Sequence, residues 1–228
     1  MRQRYVEDRL QQAVAAGIRQ YLILGAGLDS FAWRRPAWAD GVRIFEVDHP
    51  ATQTAKLKRL LKLGLDWPQH LEFVPVDFER ESISDGLARS SLAAERPAFI
   101  SWMGVVYYLS PEALSNTLRA LAAATASGSE IVFDYIIPEE LVAGEDLRIL
   151  ALGKKEVTRR GEPFLSSLDP RQLPAQLQPW GFELVENLSP QEQESRYLQG
   201  RQDYPRTFSG VYFAHFRLGQ RKGQSAEL

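Results

Sequence analysis

The chain has 228 residues, a formal net charge of −2, 44% hydrophobic and 25% charged residues, three histidines and no cysteine. This length suits one large α/β domain with a substantial core, and the charge gives no electrostatic case for nucleic acid or an anionic membrane. Disulfides and thiolate metal sites are excluded, and three histidines with no pair at ligand spacing argue against a metal cluster.

Taken in chain order, Tyr5, Val6, Arg9, Leu10, Ala13 and Val14 recur at helical spacing, predicting a helix over 3–16 that stops at Gly17. The start carries acidic residues and lacks an apolar signal-peptide core, so a cytoplasmic protein is expected. Strands are predicted at 20–24 and 42–47. A helix follows from Pro50 to about Leu63, with Leu57, Leu60 and Leu61 as its apolar face and Lys56, Lys58, Arg59 and Lys62 as a solvated one. Leu71–Val76 reads as a third strand, 82–94 as a helix and Ala98–Trp102 as a fourth strand. Ser110-Pro-Glu is a helix start, with serine as N-cap and proline at the first helical position, and this helix runs to about Ala126. Glu130–Ile136 is a fifth strand. The stretch 138–163 reads as an inserted helical segment near a binding-site mouth, and 169–180 as a further helix. Phe182–Leu188 and Phe208–Leu218 form a closing antiparallel pair, and 219–228 a disordered tail. Strands alternating with helices at this spacing predict a single α/β domain over 1–218, with a mostly parallel, doubly wound sheet.

Two signals at the strand tips carry the chemistry. Gly25-Ala26-Gly27 follows the apolar first strand and lets the backbone turn sharply, so that a charged small molecule can approach the main chain. The second strand runs into Glu46-Val-Asp48, and an acidic side chain there can accept both hydroxyls of a ribose. Two carboxylates of the same strand parity, Asp48 and Glu46, stand there as alternatives. A dinucleotide fingerprint wants a third glycine where this chain has Ser30, which disfavours NAD.

Five parallel strands closed by an antiparallel pair resemble the class I, Rossmann-like S-adenosylmethionine-dependent methyltransferase fold. The words Gly25-Ala-Gly-Leu-Asp-Ser30, Phe45-Glu-Val-Asp-His-Pro50, Val76-Asp-Phe-Glu79, Met103-Gly-Val-Val-Tyr-Tyr-Leu109 and Phe133-Asp-Tyr135, in this order, resemble the leucine carboxyl methyltransferase family, in its bacterial O-methyltransferase branch. The resemblance implies S-adenosyl-L-methionine as cofactor, S-adenosyl-L-homocysteine as product and no metal. It implies that the main chain at Gly25, Ala26 and Gly27 faces the methionine part, that Asp48 holds the ribose, and that Asp77 and Phe78 hold the adenine. An arginine ahead of the first helix pairs with the cofactor carboxylate in the family; counting from Tyr5 this is Arg2, with Arg4 second. Asp77 reads alternatively as a cap for the helix that follows. Met103 stands near the cofactor where several family members have glutamate; its thioether can pack against adenine but cannot accept as a carboxylate does.

Family members also begin with a helical lid ahead of the position matching Arg2. Here Met1 falls almost on that position, so either the lid is absent or the biological start lies upstream. No catalytic residue is assigned; Tyr107, Tyr108 and Asp134 are candidates for the acceptor wall, His49 for the helix start, and His215 reads as packed or catalytic. The expected activity is O-methylation of a carboxylate or hydroxyl on a small, hydrophobic acceptor, with a homodimer possible and no nucleic-acid or membrane partner. The alternatives are an impaired relative that binds the cofactor or acts by self-association and, behind it, an NAD-dependent oxidoreductase.

Overall fold

The computed structural model describes residues 1–77, 80–142, 144–201, 203 and 207–220. The chain runs α1 (Arg2–Ala15), β1 (Gln20–Leu24), α2 (Phe31–Arg34), β2 (Arg43–Asp48), α3 (Pro50–Lys62), β3 (Leu71–Pro75), α4 (Ile83–Ala88) and β4 (Phe99–Trp102). It continues with α5 (Pro111–Ala124), β5 (Glu130–Ile136), α6 (Glu145–Arg159), α7 (Leu173–Leu177), β6 (Phe182–Leu188), α8 (Pro190–Tyr197) and β7 (Val211–Leu218). The seven strands form one sheet in the order β3-β2-β1-β4-β5-β7-β6. The first five strands are parallel, and β7 is antiparallel to both β5 and β6. This is the expected α/β class: doubly wound, mostly parallel, with an antiparallel edge.

Central strands covered on both faces read as near-continuous apolar runs. β1 and β5 are buried along their whole length. Successive side chains of a strand alternate between the faces, and the core divides accordingly. Leu22, Leu24, Phe45, Val47, Ile100 and Trp102 share one cluster with Leu114, Leu118 and Leu121 of α5. Tyr21, Ile23, Ile44, Phe99 and Val132 share the other with Tyr5, Val6 and Leu10 of α1. Where a cap was expected it is present: the Ser110 hydroxyl accepts from the Ala113 amide, with Pro111 in the first turn.

Several expectations are corrected. The helix expected over 82–94 is a six-residue α4, and 169–180 holds only α7 and a 3₁₀ turn over Gln178–Trp180. The last strand starts at Val211 rather than Phe208. α8 answers a signal passed over in the sequence, Ser189-Pro-Gln-Glu192, which forms a reciprocal capping box. The apolar face expected on α3 is not the buried one: Gln53 and Lys56 turn inward, while Leu61 is 78% exposed. The segment expected to carry inserted helix holds α6. Residues 221–228 of the expected tail lie outside the described residues.

Strand register assembles the tips. Leu24 pairs with Val47 and Asp48 with Pro75, so the glycine loop, Asp48 and the residues after β3 lie side by side. Trp102 pairs with Phe133, which brings Met103 and Gly104 next to Asp134. The order reverses between β1 and β4, and open α/β sheets bind their ligands at such a switch point, beyond the carboxyl ends of the strands.

Candidate active site

At the end of β1 the backbone turns through Gly25 and Gly27, both with positive φ, +63° and +50°. A Cβ on Gly25 would stand 2.4 Å from Cγ2 of Val105, so glycine is required there for space as well as for conformation. The Gly25 amide donates to the Val47 carbonyl, and the Gly27 amide donates to Oδ2 of Asp48 at 2.6 Å. Oδ1 of Asp48 accepts from the His49 amide at 2.7 Å. Each carboxylate oxygen thus has one anchoring donor and lone-pair capacity left over, and Asp48 remains partly accessible.

Glu46, the alternative ribose ligand, is fully buried and pairs with Lys56 at 2.5 Å, so it does not reach the cleft. This also corrects the reading of Lys56 as part of a solvated face. Its ammonium lies 5.3 Å from the Trp33 ring centroid and 5.8 Å from that of Phe73. Burial pushes the Glu46 carboxyl up to about 7, against the opposing pull of Lys56.

Past β3, Asp77 lies 3.7 Å from Nε2 of His49 and 3.5 Å from Nε of Arg80. It does not cap α4; Ser82 does, accepting from the Asp85 amide. Phe78 lies outside the described residues. His49 caps α3 as expected, its Nδ1 accepting from the Ala51 amide.

Across the switch point, Gly104 also has a positive φ of +76°, and its amide donates to Oδ1 of Asp134 at 2.6 Å. The other oxygen of Asp134 accepts from Nε of Arg2 at 2.5 Å, and Nη2 of Arg2 donates to the Tyr107 hydroxyl at 3.3 Å. Asp134 is fully buried, which corrects its expected place in an acceptor wall; burial raises its carboxyl while Arg2 and the Gly104 amide oppose the rise. Arg4, the second choice for the arginine, pairs instead with Asp8 on the exposed side of α1. Met103 packs, partly buried, against the core on the α1 side of the sheet.

Tyr107, Tyr108 and Phe164 form an aromatic group, with ring centroids 4.7–5.5 Å apart. The chain after α6 docks there, Leu165 donating to the Tyr107 carbonyl and the Ser166 hydroxyl to that of Val106. Phe164 was not singled out from sequence, since only the return of this segment brings it to the tip of β4. Burial pushes the Tyr107 hydroxyl up to about 12. The remaining histidines are occupied elsewhere: Nε2 of His70 meets the Ala32 carbonyl, and Nε2 of His215 meets the buried Glu130 at the start of β5. Among the described residues no helix is long and apolar enough to cross a membrane.

Residues 1–122 match the family model for leucine carboxyl methyltransferase. The Bacillus subtilis (strain 168) protein named "Putative S-adenosyl-L-methionine-dependent methyltransferase YktD" is 33% identical over 211 residues, which is 92% of this chain and 69% of that protein. A Mycolicibacterium paratuberculosis protein whose name likewise reads S-adenosyl-L-methionine-dependent methyltransferase is 38% identical over 57% of this chain, a match that spans 41% of its own length. Among solved structures, a DUF574 family protein from Streptomyces avermitilis superposes with a TM-score of 0.68 at 20% identity, over 94% of this chain and 82% of that one. The strand order, the glycine loop and these similarities agree: the chain belongs to the leucine carboxyl methyltransferase family of S-adenosylmethionine-dependent methyltransferases and has their class I fold.

Proposed function

We propose that this protein is an O-methyltransferase that binds S-adenosyl-L-methionine across the tips of β1, β2 and β4 and methylates a small, hydrophobic acceptor. The observation that carries the reading is Asp48, a partly accessible carboxylate fixed by two amides beside a glycine loop, with acceptor capacity unspent. The residues fit the cofactor: a Cβ position at Gly27 meets no side chain within 4 Å, leaving room where the methionine part would pass, and Asp48 would take the ribose hydroxyls. Asp77 would accept from the adenine amino group, Met103 would pack near the ring, and Arg2 would receive the cofactor carboxylate.

When bound, the cofactor supplies a methyl group on a positively charged sulfur. What remains for the protein is to place a nucleophile in line with the breaking bond and to exclude water. Tyr107, Tyr108 and Phe164, packed ring to ring, would supply an apolar wall for that placement. A carboxylate acceptor needs no general base, whereas a hydroxyl wants one. The three histidines are committed to a helix cap, a backbone carbonyl and a buried hydrogen bond with Glu130, which favours the carboxylate. The reading extends to a cytoplasmic location and a small-molecule partner, with a homodimer to be checked by light scattering.

Calorimetric titration with S-adenosylmethionine, S-adenosylhomocysteine and NAD tests the cofactor. Micromolar binding of the first two, about −8 kcal/mol, lost in Asp48→Ala and absent for NAD, is the expected result. Binding of NAD alone would refute the reading. A screen of carboxylates and phenols for S-adenosylhomocysteine release would then identify the acceptor.

A further inference from the structure

We infer that Asp134 is a positioning residue of the cofactor site, holding the Arg2 guanidinium where it receives the cofactor's carboxylate. The inference rests on the reading given under Proposed function and adds a residue to it. Arg2 is the first residue of α1 and its side chain is about half exposed, so nothing in its own helix fixes it. Its anchors are Asp134 through Nε and the Tyr107 hydroxyl through Nη2. Asp134 lies on a strand whose neighbours Phe133 and Tyr135 are buried, and there an apolar side chain would be the cheaper occupant. A carboxylate in that setting accepts from Arg2 and from the Gly104 amide, and both contacts favour its charged form.

The same carboxylate reaches the glycine loop. One oxygen fixes Gly104, the next residue is Val105, and the Val105 side chain occupies the space that a Cβ on Gly25 would need. Asp134 therefore sets the position of the arginine and of the turn that packs on the loop. Removing the charge while keeping a carbonyl for Gly104, as in Asp134→Asn, presents an amide donor to the Nε donor of Arg2 and releases the guanidinium.

The test compares S-adenosylhomocysteine with 5′-methylthioadenosine, which keeps the nucleoside thioether but lacks the amino-acid carboxylate. In Asp134→Asn the affinity for S-adenosylhomocysteine should fall at least about tenfold, as in Arg2→Ala, while that for 5′-methylthioadenosine stays within about twofold. The double variant should bind S-adenosylhomocysteine no more weakly than Arg2→Ala alone. An equal loss for both ligands in Asp134→Asn means a structural role and overturns the inference, as does no loss for either. A wild-type protein that binds neither ligand brings down the cofactor reading itself, and the inference with it. A measurement on the wild type alone guards against a variant that fails to fold. The Arg2 Nε–H signal in nitrogen-15 NMR should stay protected from solvent exchange when S-adenosylhomocysteine is added, and its loss would show that Arg2 leaves Asp134 on binding.

Discussion

Replacing Lys56 by methionine keeps an apolar stem of similar length and removes the cation that faces Glu46 and lies near the Trp33 and Phe73 rings. The size of the effect depends on pH, because Glu46 has an escape: it can take up a proton. Its ordinary value is 4.5 and in the folded protein it is raised to about 7. A raised carboxyl adds nothing to the pH dependence below about pH 4.5; stability then falls as pH rises and levels off beyond about pH 7. At about pH 8 the wild type carries about 3 kcal/mol of this penalty. Without Lys56 the carboxyl stays neutral at that pH, and the penalty grows to nearly 5, roughly 1.4 kcal/mol per pH unit above 4.5. Lys56→Met should therefore cost roughly 1 to 2 kcal/mol more at about pH 8 than at about pH 5. Urea unfolding followed by tryptophan fluorescence at the two pH values measures it. An equal loss at both would refute the reasoning, since it would mean that the cost of losing Lys56 does not depend on the charge of Glu46. Glu46→Gln supplies the control: the fall in stability across this pH range should flatten.

Gly25→Ala forces a side chain into left-handed backbone and against Val105; unfolding should show a loss of about 2 kcal/mol or more, with weakened S-adenosylhomocysteine binding by calorimetry. A loss below about 0.5 kcal/mol would mean that the loop adjusts freely. Tyr108→Ala removes one ring of the aromatic group at the tip of β4; with an acceptor in hand, its KM should rise about tenfold while the cofactor Kd stays within about twofold. A change in Kd alone would move Tyr108 from the acceptor wall to the cofactor side.

What the sequence made legible is what depends on neighbours along the chain. The apolar run Tyr21–Leu24 of β1, the Ser110-Pro111 cap and the glycine turn at 25–27 are local signals, and each is found where it was expected. α8 was equally legible, since its capping box repeats the signal at Ser110. Lys56 was read by polarity alone. Helical periodicity placed it beside other cations on α3, and only a buried carboxylate on the preceding strand makes its inward turn affordable. Asp134 fails the same way at longer range, because its partner Arg2 is 132 residues distant and meets it only through the sheet order. Both misreadings are charges whose burial is decided by one partner. A pattern can say which side chains dislike water, but a buried charge is stable only beside its counter-charge, and pairing across strands is a property of register. The register also explains why the strand-tip residues lie side by side: Leu24–Val47 and Trp102–Phe133 bring the glycine loop to Asp48 and Gly104 to Asp134 by main-chain pairing alone. The backbone therefore brings the tips together, while the buried Glu46–Lys56 pair lies beneath them and half-exposed Arg2 meets buried Asp134 across the switch point.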